Sequence, residues 1–189
     1  MPQADTPGPA SAAPVVRNDR QNAVLRAAEK LFAMHGYHAV TIRQIASEAG
    51  VPSALVGYYF GRKQDLFQAI FAHRQSMHAE RFRVLDAVAA ASGSTVALPR
   101  LVKAFVQPLV RWRQNPADAH HALLLAREIA RPARETAPVL QAFVDPLATR
   151  FIEALSDMSP GSSRDDATWA YRFTLGALLH HLADERDAR

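Results

Sequence analysis

The 189 residues suffice for one compact domain or for a small domain joined to a larger one, and a hydrophobic content of 49% supplies a substantial core. The absence of cysteine excludes disulfide scaffolds, zinc–thiolate sites and thiol catalysis, and without a membrane-length apolar run or a basic-then-apolar leader a cytoplasmic protein with no membrane contact is expected. The net charge of +4 is unevenly spread: residues 17–83 hold 10 Lys/Arg against 5 acids, and the remainder holds 12 basic and 13 acidic residues, so the surplus lies in one segment, either to meet a polyanion or as a solvated basic surface.

In chain order, residues 1–17 open almost entirely with Ala, Pro, Gly, Ser and Thr, which cannot bury enough apolar area to offset ordering, and a disordered arm is expected. Helical periodicity starts near Arg20, with Val24, Ala27, Ala28, Leu31 and Phe32 on one stripe and Gly36 closing the helix. Thr41 stands as an N-cap before Ile42, Ile45, Ala46 and Ala49, and Gly50 ends that short helix. Pro52 can start the next, which carries Leu55, Val56, Tyr59 and Phe60. Gly61 breaks it, and a longer amphipathic helix begins near Arg62 with Leu66, Phe67, Ile70 and Phe71 inward. Four more helices are expected at 97–114, 118–131, 138–157 and 165–184, bounded by Ser/Gly clusters and prolines. No alternating strand pattern and no internal repeat is present. The class is all-α.

The run Thr41–Phe60, TIRQIASEAGVPSALVGYYF, meets the steric needs of a helix-turn-helix. Ala46 is small where two short helices cross, Gly50 accepts the positive φ of the turn, and Val56 can pack back onto Ala46. Short residues at the start of the second helix, Ser53 and Ala54, let its backbone lie deep in a major groove.

The segment AAEKLFAMHGYHAVTIRQIASEAGV, followed by YYF and by Lys63, Leu66 and Phe67, resembles the N-terminal domain of the TetR family of bacterial regulators. The resemblance implies a three-helix helix-turn-helix domain over 18–64, with its motif at 41–60, and a helical ligand-binding and dimerisation domain over 65–189. It implies that Thr41 bonds a DNA phosphate, that Ser53, Ala54 and Leu55 read base edges, and that Tyr58 and Tyr59 touch the backbone or a thymine methyl. Lys63 would pair with a phosphate at the start of the fourth helix, and Arg43 is a further contact. Tyr59 could equally be core, because it shares a stripe with Val56. Gly57 departs from the pattern, since the family often has tyrosine there, so one phosphate contact is expected to be missing.

The C-terminal half has no nucleophile elbow, phosphate loop or HExxH pair, and no cofactor is expected. His180 and His181 precede Asp184 and Glu185 at a metal-compatible spacing, but adjacent side chains point about 100° apart on a helix and no metal site is expected. The helix at 97–114 is apolar over most of its circumference and contains Pro108. A ligand pocket bounded by Phe105, Leu109, Trp112 and Leu124 is one reading of it; a bent core helix is the other. Arg127 could hold an anionic head group, or pair with Glu128 or a neighbouring chain. The last two helices are expected to form the homodimer through Phe143, Leu147 and Phe151 on one and Trp169, Phe173, Gly176 and Ala177 on the other.

The reading as a whole is a dimeric regulator, usually a repressor in the family, that leaves a palindromic double-stranded operator when a small apolar or amphipathic effector binds. A DNA-binding regulator without a ligand is the alternative. A small all-α enzyme is disfavoured by the lack of paired catalytic groups.

Overall fold

The computed structural model describes residues 13–91, 97–159 and 161–183. Among them the chain forms nine helices and no strand: α1 (Ala13–His35), α2 (Ile42–Glu48), α3 (Ser53–Phe60), α4 (Lys63–His73), α5 (Gln75–Ala90), α6 (Ala97–Gln114), α7 (Ala119–Ala130), α8 (Ala137–Met158) and α9 (Arg164–Ala183). The all-α class is as expected. The first helix begins at Ala13 instead of near Arg20, so residues 13–17, expected in the arm, have helical backbone. Pro14 lies in its first turn, where a missing N–H removes no intrahelical bond. The rest of the arm, residues 1–12, lies outside the described residues, as do Asp184 and Glu185.

Thr41 caps α2 as expected, and the cap is reciprocal: its Oγ1 accepts from the Gln44 backbone N–H at 3.3 Å while Gln44 Oε1 accepts from the Thr41 N–H at 2.8 Å. Gly50 has φ +65° and makes the turn, after which the Val51 N–H donates to the Ala46 carbonyl at 3.0 Å. Ile45, Ala46 and Val56 are buried where α2 meets α3. Phe32, Tyr37, Phe67 and Phe71 continue this core between α1 and α4 with ring centroids 5.1–5.8 Å apart. It does not close there. Leu124 and Leu125 of α7 and Leu140 of α8 belong to the same core, and α1 packs against α7 more extensively than against any other helix.

The helix expected from Arg62 ends at Arg74, which caps both α4 and α5. Helix α6 continues through Pro108, and it is amphipathic, not apolar all round. Leu101, Ala104, Phe105 and Leu109 are buried, while Lys103 and Arg111 are exposed.

The expected interface splits in two. On α8, Leu147 and Phe151 are buried within the protomer, and Phe151 stacks on Phe105 at 4.3 Å. Phe143 packs against Phe71 and His78 of the same chain, at 5.3 and 5.5 Å. Leu147 and Phe151 are core residues, not interface residues, because α5, α6 and α7 already cover them, whereas Phe143 is half-buried. On α9, by contrast, Trp169 and Phe173 remain 56% and 74% exposed, with Gly176 and Ala177 exposed beside them.

Candidate functional site

The described nucleic-acid-facing candidates are arranged by the α2–α3 crossing. With Ile45, Ala46 and Val56 inward, the helical period turns Thr41, Arg43, Ser53, Ala54 and Gly57 to solvent. Tyr58 is 68% exposed, and its ring lies 5.5 Å from that of Tyr59. Leu55, Tyr59 and Phe60 are half-buried, so Tyr59 serves both packing and surface. A Cβ added at Gly57 would meet nothing within 4 Å, and the helix there is sterically open. Lys63, at the start of α4, holds its ammonium 4.3 Å from the Tyr37 ring centroid, and burial pushes its pKa below the usual lysine value. Between the two short helices and α1, Lys30 bonds Glu48 at 2.6 Å.

Behind this face lies a buried polar network that local sequence spacing did not reveal. Glu29 of α1 receives Arg74 in a bidentate pair, Nε at 3.1 Å and Nη2 at 2.7 Å. Arg74 Nη1 also donates to Asp118 at 2.8 Å and Nη2 to the Ala117 carbonyl at 3.0 Å. His121 Nδ1 lies 2.8 Å from Glu29 Oε1, and its Nε2 lies 3.0 Å from His78 Nε2. Burial would raise the Glu29 carboxyl, but hydrogen bonds from His121 and Arg74 hold it below the usual carboxylate range. Burial lowers His121 despite Glu29; burial, the repulsion that protonating both rings would create, and the Arg81 and Arg74 charges push His78 down to about 3. Both rings are therefore neutral, and one tautomer set satisfies all the distances. His121 Nδ1–H donates to Glu29, leaving its Nε2 to accept from His78 Nε2–H. The network ties α1 to α5 and α7 where α4 meets α5. Three further bonds join the N-terminal helices to the rest of the chain. Gln64 of α4 donates to the Glu135 carbonyl at 3.0 Å, and Arg127 of α7 donates to the carbonyls of Ala33 and Met34, both at 2.9 Å.

Arg127 thus caps the C-terminus of α1, lying against Gly36, and it is not a partner of Glu128. Glu128 instead accepts from the Thr136 hydroxyl at 2.5 Å. Leu124 is fully buried in the core shared with α1, so the expected pocket does not assemble around it. Phe105 and Leu109 line an internal space of about 20 Å³, room for one water and no ligand. Trp112 lines a larger groove of about 550 Å³ between α5 and α6, with Arg81, Ala104 and Pro108. A hollow of about 840 Å³ lies between the loop after α1, α7 and the end of α9. Among the described residues no cluster of three His, Asp or Glu is placed to hold a metal, and no helix is long and apolar enough to cross a membrane.

Two family descriptions match. Residues 24–70 match "Bacterial regulatory proteins, tetR family", and residues 103–189 match "Tetracyclin repressor-like, C-terminal domain". The chain is similar to the HTH-type transcriptional regulator HbdR of Aromatoleum sp. (strain CIB), 43% identical over 53 residues that are 28% of this chain and 23% of that protein's length. It is 27% identical over 169 residues, 88% of this chain and 78% of the relative, to an uncharacterized HTH-type transcriptional regulator of Mycobacterium tuberculosis. Its fold resembles that of SmeT, solved as a SmeT–triclosan complex, with a TM-score of 0.63 at 18% identity, covering 89% of this chain and 82% of that one.

Proposed function

Since this chain belongs to the TetR family of bacterial DNA-binding transcriptional regulators, we propose that it is a cytoplasmic homodimeric repressor released from a palindromic operator by a small apolar or amphipathic effector. The observation that carries the DNA half is the exposure of Thr41, Arg43, Ser53, Ala54, Gly57 and Tyr58 around a packed α2–α3 crossing. Exposed donors and short side chains at the start of α3 suit entry into a major groove, with Thr41 and Lys63 on phosphates. Two-fold pairing through Trp169, Phe173, Gly176 and Ala177 of α9 would bury the largest exposed apolar side chains and set two recognition helices about 34 Å apart. SmeT, solved with triclosan, supports the effector half.

The switch follows from the junction. Helix α4 begins beneath the recognition helix at Lys63 and ends at Arg74, which is held by Glu29 and Asp118. An effector that prefers a different placement of α5 would shift Arg74 and with it α4, weakening operator binding by its differential affinity for the two placements.

Sequences selected from a random duplex pool give the operator, and gel shifts then compare variants on it. Lys63→Ala should weaken all operators alike and flatten the salt dependence by about 1 in slope, whereas Ser53→Arg should change which sequences are preferred. Unchanged preference in Ser53→Arg would remove α3 from the groove.

A further inference from the structure

Arg81 of α5 stands apart from the other buried charges. It is 8% exposed, yet its Nε has no hydrogen-bond partner, and among the described residues the guanidinium makes no ion pair. Its neighbours are rings: the Trp112 centroid lies 5.4 Å and the Phe105 centroid 5.9 Å from Cζ. Burial pushes its pKa down to about 9, so it stays charged at neutral pH. Arg74, the N-cap of α5 about two turns before it, has two carboxylates; Arg81 has none. A buried charge without a counter-charge is costly, and native proteins normally pair it.

The missing partner has a place to sit. Arg81 lines the groove of about 550 Å³ between α5 and α6, a volume in the range of small-molecule sites. The walls are apolar at Met77, Val84, Ala104, Pro108 and Trp112. The two acids of the groove are already engaged: Glu80 with Arg83 at 2.6 Å, and Asp118 with Arg74 at 2.8 Å. Lys103 and Arg111 line the same groove, so the charge not already paired there is positive. The 840 Å³ hollow is larger, but its Arg127, Arg131 and Arg134 are all exposed to solvent, and Arg127 already donates through Nη1 to the carbonyls of Ala33 and Met34.

The geometry points to a small organic monocarboxylate as the occupant of the α5–α6 groove, its carboxylate on the Arg81 guanidinium and its apolar body against Trp112, Pro108 and Ala104. This deepens the effector half of the function proposed above and rests on that reading. One buried guanidinium calls for one negative charge, and its planar fork fits a carboxylate edge-on. The site is one helical turn from His78, hence next to the network that joins α5 to α1.

Calorimetry on the full-length dimer without DNA tests the proposal with hexanoate, octanoate, decanoate, phenylacetate and phenylbutyrate, each beside its neutral primary amide. At least one acid should bind on the order of 10- to 100-fold more tightly than its amide, as expected for a charge-assisted bond. Arg81→Met should abolish that preference while raising the melting temperature of the free protein, and Arg81→Lys should retain a weakened preference. Equal binding of acid and amide, no binding by any of the acids, or unaltered acid binding in Arg81→Met would overturn the proposal. Operator release is measured separately. Release by a neutral compound with no carboxylate binding would leave the effector-responsive repressor standing and remove the carboxylate. Carboxylate binding that no operator senses would do the reverse.

Discussion

Acidification should destabilise this fold well above the pH at which its carboxylates titrate, and the His78–His121–Glu29 chain fixes the size of the effect. His78 falls from an ordinary 6.5 to about 3 in the folded chain, because its ring is buried and faces Arg81, Arg74 and His121. Below 6.5 the unfolded chain takes up a proton that the native state refuses, so stability is complete above 6.5 and falls as the pH drops toward 3. The slope is about 1.4 kcal/mol per pH unit for one fully shifted group, so lowering the pH to about 5 should cost about 2 kcal/mol from His78 alone. His121 is shifted in the same direction and adds to the loss. Glu29 does not contribute in this window: its carboxyl lies below the ordinary 4.5, and its stabilisation is lost only as the pH falls through the folded value. Urea unfolding at fixed protomer concentration, from about pH 7 to about pH 5, gives the slope directly. His78→Leu should start about 1–3 kcal/mol less stable, since His121 Nε2 loses its donor, but should show a shallower decline. A flat profile in the wild type, or an identical slope in His78→Leu, would refute the neutral-histidine assignment.

Gly57→Ala should stabilise the protein by up to about 1 kcal/mol, because the added Cβ meets nothing within 4 Å and alanine is the better helix former; a lower urea midpoint would contradict the helical placement of Gly57. Phe173→Asp should give folded monomers by light scattering, since Phe173 is 74% exposed on α9, and a variant still dimeric at micromolar concentration would move the interface. Phe151→Asp should instead unfold the chain, because it places an unpaired charge against Phe105 in the protomer core, where a side chain 0% exposed has no route to water; a cooperatively folded variant by circular dichroism would contradict that burial.

What the sequence by itself determined is everything that neighbours along the chain control. The N-cap at Thr41, the positive-φ turn at Gly50, the Ala46–Val56 contact and the outward face of α3 all depend on residues within about three turns of one another, and each is readable from spacing. Even the Gln44 half of the cap was legible in principle, as the fourth residue of a T-x-x-Q pattern. Tertiary structure decided the partners. A hydrophobic stripe declares that a face will be buried but not by what, so Leu147 and Phe151 could be read as an interface until α5, α6 and α7 were seen to cover them. Arg127 finds its acceptors 93 and 94 residues away, and His121 meets Glu29 across 92. Arg81 carries the same message in reverse. Nothing in its local sequence distinguishes it from the solvated Arg83 two places on, and only the packing of α6 against α5 removes it from water while leaving its charge unanswered.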